Sequence, residues 1–203
     1  MLKPGTDEAH QPMSEPNDGT GQNEVCGQNR QGVVGRAEVS MPRVQLRELV
    51  ELLEFVLDEQ NVGSVEVGLH VVDAASIAVL NQQHMGAEGS TDVLSFPIDD
   101  EPDSADPSPR MLGEVVLCPE VAERSARVSE TGLADELRLL VVHGTLHLLG
   151  MDHAARQDRL AMAAMQNDLR EKWADRTGQR RPEPVHLEES RDEDQVPRLE
   201  VKG

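Results

Sequence analysis

Aromatic residues are almost missing from this chain: Phe55, Phe96 and Trp173 are the three it has, and tyrosine is absent. Base-stacking surfaces of the RRM or OB kind need several exposed rings, so this scarcity argues against such a platform. Basic residues are also few, 19 Lys or Arg against 38 Asp or Glu. Between residues 41 and 175 the counts are 10 and 25, a charge of about −15. Lys and Arg normally neutralise phosphates and supply the sequence-independent part of nucleic-acid affinity. A chain with the opposite balance repels RNA at long range, so any RNA contact has to be local to a cleft or aided by a partner. The two cysteines, Cys26 in a polar stretch and Cys118 at the end of an apolar one, form no disulfide framework and fit a reducing cytoplasm. No uninterrupted apolar run approaches the length of a membrane helix, and Met1 to His10 lacks the apolar core of a signal peptide. A soluble cytoplasmic protein with no membrane partner is expected.

What is present suffices for one domain with a real core in 203 residues. Residues 1–31 hold almost nothing to bury and read as a disordered tail; residues 176–203 are charged and Pro-bearing and read as a second one. The interval 32–175 is then the folded domain. It opens on a weak strand around Val33 to Val39. Pro42 suits the first turn of a helix whose apolar stripe runs from Val44 through Leu46, Leu49, Leu52, Leu53, Val56 and Leu57 to about Glu59. Val65 to Val71 alternates as a strand with one buried face and His70 on the solvated one. Asp73 caps a short helix through Leu80, and Gly86 and Gly89 mark a loop. Thr91 to Pro97 and Leu112 to Leu117 read as strands, separated by an acidic mobile loop over residues 99–110. Glu114 is either a partner that supports a site group or, more simply, an ordinary acid at a strand start, and Cys118 reads as core filler. Pro119 opens a helix to about Val128, and Asp135 and Glu136 stand in the first turn of the next, where the helix dipole favours negative charge. Leu160, Met162, Met165, Leu169 and Trp173 trace the apolar edge of a last helix.

The chemistry concentrates between His143 and His153, which reads His-Gly-Thr-Leu-His-Leu-Leu-Gly-Met-Asp-His. The aliphatic run Leu137 to Val142 leads into it, so the motif sits on a buried helix. A spacing of four puts His143 and His147 on one face, one turn apart, where both imidazoles can reach one ion. Gly150 ends the helix and lets the chain double back, bringing in His153 as a third ligand. Three imidazoles suit one Zn2+ per chain, with nitrogens at about 2.0–2.1 Å and a fourth position left for water. Zinc lowers the pKa of that water from about 15.7 to roughly 7, which favours hydrolysis. Two readings without chemistry compete: core histidines bonded to backbone, and a structural zinc, whose fourth position a protein ligand such as Cys normally closes. The spacing is also that of metzincin proteases, which carry a Glu general base directly after the first His. That position is Gly144 here, so peptide hydrolysis is the second choice.

The run HGTLHLLGMDH resembles the signature of the YbeY family, zinc-dependent single-strand-specific endoribonucleases that act in rRNA maturation and ribosome quality control. A second family motif, Leu-Asn followed by Thr-Asp-Val-Leu-Ser-Phe-Pro, stands here as Leu80, Asn81 and Thr91 to Pro97, and Leu112 to Leu117 resembles the family's Gly-Asp/Glu-Ile/Val strand. The resemblance spans roughly residues 33–175. It implies an α+β fold, a small mixed sheet of about four strands packed against helices, with a zincin-like three-histidine metal helix lying along the sheet. It implies His143, His147 and His153 as zinc ligands, His143 and His147 as the catalytic pair, single-stranded rRNA (the 3′ end of the small-subunit 16S rRNA) as substrate, and the ribosome or its small-subunit proteins as partners. Asp92 and Ser95 become candidates for hydrogen bonds that shape the site, or are ordinary strand and turn residues. Asp152 either orients an imidazole or caps the turn. One departure stands out: many members carry an Arg before the glycine loop that contacts substrate phosphate, and the residues here are His84 and Met85. Methionine cannot stabilise phosphoryl charge, so cleavage would lean more on the metal, with His84 either a partial substitute donor or, more simply, an exposed loop residue. A hydrolase of another bond, such as a peptide bond, and a non-catalytic ribosome-assembly factor with structural zinc are the alternatives.

Overall fold

The computed structural model of the chain describes residues 23–27, 32–41, 43–98, 109–152 and 155–185. Five strands form one mixed sheet: β1 (Asn23–Cys26), β2 (Gly32–Ala37), β3 (Val65–Val71), β4 (Val93–Pro97) and β5 (Arg110–Leu117), in the spatial order β1-β2-β3-β5-β4. The central strands β2, β3 and β5 run parallel, and the edge strands β1 and β4 are antiparallel to their neighbours. Parallel neighbours need a crossover. Helix α1 (Arg43–Glu59) provides one between β2 and β3; α2 (Ala74–Leu80), a π-helical turn (Asn81–Met85) and β4 lie between β3 and β5. Three helices follow, α3 (Pro119–Val128), α4 (Leu133–Leu148) and α5 (Arg156–Thr177).

Side-chain periodicity sorts these elements into layers. Val65, Val67, Leu69 and Val71 of β3 point into the main core, which α1, α4 and α5 close with Leu46, Leu49, Leu53, Leu140, Leu146, Leu169 and Trp173 among others. On the opposite sheet face a smaller cluster of Val72, Ile77, Leu94, Val116 and Cys118 lies under α2. The short helix is capped as expected: the Asp73 carboxylate accepts from the Ser76 amide at 2.7 Å. A register shift between Glu66 and Val67, opposite Leu112, bulges β5. There Gly113 adopts φ 141°, and a Cβ would collide with the Phe96 carbonyl, so glycine is required.

Three expectations need correction. The sheet has five strands rather than about four, because Asn23–Cys26, inside the interval 1–31 read as a tail, pairs with β2. Its sequence hides this because it offers little to bury besides Val25 and the pairing is made by backbone groups. The domain also runs past residue 175: α5 continues to Thr177, and the chain then returns along it, with the Val185 amide and carbonyl bonded to the Asn167 side chain at 2.8 and 3.2 Å. Finally, Leu160 is half exposed, because the buried stripe of α5 is Met162, Gln166, Leu169 and Trp173 and Leu160 falls off it. Pro42, most of the acidic loop 99–110 and the remainder of both tails lie outside the described residues. Among the described residues no helix is long and apolar enough to cross a membrane.

Candidate metal centre

Helix α4 is buried on almost every side over its second half, from Leu140 to Leu148, which is why its sequence is aliphatic without a polar stripe. It stops where glycine allows. Gly150 has φ 81°, its amide donates to the His147 carbonyl at 2.9 Å, and the Met151 amide donates to the Leu146 carbonyl at 3.0 Å. These two bonds are those of a Schellman ending, which satisfies late helix carbonyls and turns the chain at the helix end.

His143 and His147, 2% and 8% exposed, face each other one turn apart, with Nε2 atoms 3.2 Å apart and rings inclined at 76°. Two nitrogens held at about 2.05 Å from one ion at the tetrahedral angle would stand about 3.3 Å apart, so the pair already has the spacing of two edge ligands. The other nitrogen of His143, Nδ1, lies 3.3 Å from Gln166 Oε1 on α5. Neutral imidazoles with converging Nε2 atoms and an occupied outer nitrogen are a donor set that fits zinc. His153 lies outside the described residues; among those described, no group of three His, Cys, Asp or Glu side chains is placed to hold a metal.

The helix is pressed onto the sheet at Gly144. A Cβ there would lie 2.8 Å from Val115 Cγ1 and 3.0 Å from Ser95 Oγ, and the Ser95 hydroxyl donates to the Gly144 carbonyl at 3.0 Å. Ser95, 1% exposed, thus ties edge strand β4 to the residue beside the first histidine. The same contact removes the metzincin alternative. A glutamate at this position would have to push its Cβ into a buried valine, so the protease base has no room here.

Asp92 takes a different place from Ser95. It is 8% exposed, accepts hydrogen bonds from the Thr91 and Ser125 side chains, and lies within electrostatic range of Glu136. Glu136 precedes His143 by seven residues, about 10 Å along the helix. Burial pushes the carboxyl pKa of Asp92 up; burial, and then the Asp92 charge, push that of Glu136 up, with Arg170 pulling it back. Asp152 is exposed one residue before His153. His70 and Glu114 pair at 3.6 Å over Gly68. They lie on the sheet face away from α4, since Val115 is the β5 residue that meets Gly144. His84 and Met85 line a cleft on that far face, with the His84 ring edge-on to Phe96 at 4.9 Å and Met85 packed on the small apolar cluster.

Gln166, Gly144 as a contact surface, and the buried Glu136 and Arg170 escaped the sequence reading. Gln166 had a signal: it is the polar residue at a core position of the spacing Met162, Gln166, Leu169, Trp173. The others had none, because tight approach between distant segments leaves no local trace.

The model of the family described as Endoribonuclease YbeY matches residues 36–174. An endoribonuclease YbeY of Corynebacterium glutamicum is 44% identical over 134 residues, which are 63% of this chain and 68% of that protein. One of Mycobacterium sp. strain KMS is 42% identical over 136 residues, 64% of this chain and 77% of its own length. One of Mycolicibacterium gilvum is 39% identical over 153 residues, with shares of 72% and 84%. A solution structure of a Thermotoga maritima protein aligns with a TM-score of 0.47 at 27% identity, over 72% of this chain and 93% of that one. By the family match and by these relatives, the chain belongs to the endoribonuclease YbeY family and hydrolyses phosphodiester bonds within RNA.

Proposed function

We propose that this endoribonuclease is zinc-dependent and specific for single strands, that it acts in the cytoplasm on the 3′ end of small-subunit 16S rRNA and in ribosome quality control, and that His143, His147 and His153 hold one zinc ion per chain. The observation that carries the reading is the 3.2 Å separation of two inward-facing Nε2 atoms on a helix whose end turns the chain back on itself. When bound there, zinc supplies a Lewis acid next to a scissile phosphate and makes water acidic enough to ionise near neutral pH. The protein's own residues do the rest. His143 and His147 present lone pairs from a helix that cannot shift, because Ser95 and Val115 clamp it at Gly144. The buried surroundings exclude bulk water from the pair and strengthen every charge interaction at the site. Met85 is packed into an apolar cluster, so its side chain offers no donor to phosphate charge, and stabilisation of that charge would fall more to the ion held by the histidines.

The acidic surface, with a formal net charge of −19, agrees with a substrate delivered as part of a ribosomal particle whose other components supply the cations. His143→Ala and His147→Ala are each expected to lose zinc by elemental analysis and to lose cleavage of single-stranded RNA, while keeping the parental far-UV CD spectrum. Retention of both zinc and cleavage in both variants would overturn the reading.

A further inference from the structure

We infer that Gln166 is a positioning residue for the proposed metal site: its side-chain carbonyl selects the His143 tautomer whose lone pair lies on Nε2. The inference rests on the reading of His143 and His147 as ligands. Gln166 occupies a core position of α5 and is 4% exposed. A buried amide without partners is costly, and this one has its oxygen 3.3 Å from His143 Nδ1. A neutral imidazole carries one N–H and one lone pair. A carbonyl oxygen can only accept, so its bond to Nδ1 places the N–H there and the lone pair on Nε2. That lone pair points at His147 Nε2, 3.2 Å away, the place where a shared ion would sit. The opposite amide orientation would donate to Nδ1 and put the proton on Nε2, where it would block binding. Selection of the accepting orientation by Gln166 therefore decides whether His143 presents a lone pair or an N–H toward the place of the ion.

The support is built into packing as well as into a single bond. Met162 and Leu169, one turn to either side of Gln166 on α5, are both in the core, which fixes the helix face that carries the amide. The helix that carries His143 is itself fixed by the Ser95 bond to Gly144. Both ends of the Gln166–His143 contact are thus attached to elements that cannot drift. Such outer partners of metal-bound histidines typically change metal affinity by about 10- to 100-fold.

Three variants of the full chain and one spectrum test this. Gln166→Leu keeps the volume and removes the acceptor, and zinc affinity by competition with a chelator is expected to fall by about 10- to 100-fold. Gln166→Glu keeps an acceptor and no donor when ionised, and is expected to restore binding to within a few-fold of the parent. A residue with a merely structural role would be harmed more by the buried charge than by leucine, giving the reverse order. In the metal-free parent, long-range 1H–15N correlation of the His143 ring is expected to show the proton on Nδ1, and this reading decides the matter even where Gln166→Leu fails to fold. Parental zinc affinity in Gln166→Leu, or a proton on Nε2 in the parent, would overturn the inference. His143→Ala separates the two levels: if it too binds zinc normally, the ligand reading has failed, whereas loss there with no change in Gln166→Leu removes the positioning role alone.

Discussion

A methyl group on Gly144 would enter a space already filled by Val115 Cγ1 and Ser95 Oγ, at 2.8 and 3.0 Å. Val115 is β-branched and fully buried, so it cannot swing aside. Overpacking of this kind costs roughly 1–3 kcal/mol. Alanine regains about 1 kcal/mol of helix propensity over glycine. Gly144→Ala is therefore expected to lower the unfolding free energy by about 1 kcal/mol and to loosen zinc binding, because the helix has to lift away from the sheet to admit the methyl. Urea unfolding with a chelator competition on the same samples checks it, and a variant more stable than the parent would contradict the contact. Among single residues, the histidine pair could be read directly from its spacing of four. Gly144 could be read as a missing protease base, but the reason for the glycine could not, since Val115 and Ser95 reach it from two other strands. The Ser95 hydroxyl donates to the Gly144 carbonyl and so ties β4 to helix α4. Asp92, named beside Ser95, is turned instead toward Ser125 on α3.

Helix α4 carries the proposed metal ligands His143 and His147, and its end is its most specified part. Gly150 at φ 81° lets the Schellman bonds from Gly150 and Met151 form. An L side chain in the left-handed region costs about 1–2 kcal/mol, less for asparagine, which visits it more readily. Gly150→Ala is expected to destabilise the protein by that amount in urea unfolding and Gly150→Asn by clearly less. If the turn also directs the chain that carries His153, Gly150→Ala should weaken zinc binding more than Gly150→Asn does; equal effects would separate the turn from the metal. Elements with a sustained pattern were readable: the α1 stripe, the alternation of β3, the Asp73 cap and the glycine stop of α4 all agree with the structure. Elements held by other means were not. Strand β1 has four residues, of which Val25 is buried, and α5 interleaves Gln166 and Arg170 with its apolar positions because Gln166 faces His143 of α4 and Arg170 donates to the Glu183 carbonyl within electrostatic range of Glu136. A polar residue that faces a neighbouring helix looks, in sequence, like one that faces water.

For the whole molecule, the acidity deduced from composition acts through a few buried groups as well as through the surface. Where β4, α3, α4 and α5 meet, Asp92 and Glu136 are buried together, with Arg170 and Asp135 in electrostatic range. Arg170 is itself 6% exposed, and burial pulls its pKa down, helped by the Arg138 charge, while Asp135 and Glu136 push it up. For Glu136 burial prevails, so its pKa in the folded protein lies above the ordinary value of 4.5. Below pH 4.5 the carboxyl is protonated in both folded and unfolded chains and contributes nothing to the pH dependence. Above it, the unfolded chain gives up the proton first, so the folded state holds more protons and its stability falls with rising pH until the folded pKa is passed. Each fully displaced proton is worth at most about 1.4 kcal/mol per pH unit. Glu136→Gln removes that slope. The unfolding free energy of the variant minus that of the parent is therefore expected to be flat in acid, to rise as pH increases from about 4.5, and to level off above the folded pKa. Urea unfolding of both proteins across the range from acid to slightly alkaline pH reads this difference directly, and common effects of the net charge cancel in it. A difference that stays level or declines with pH would mean that Arg170 outweighs burial, and that the junction between the metal helix and its neighbours is held by an ion pair instead of tolerating a strained acid.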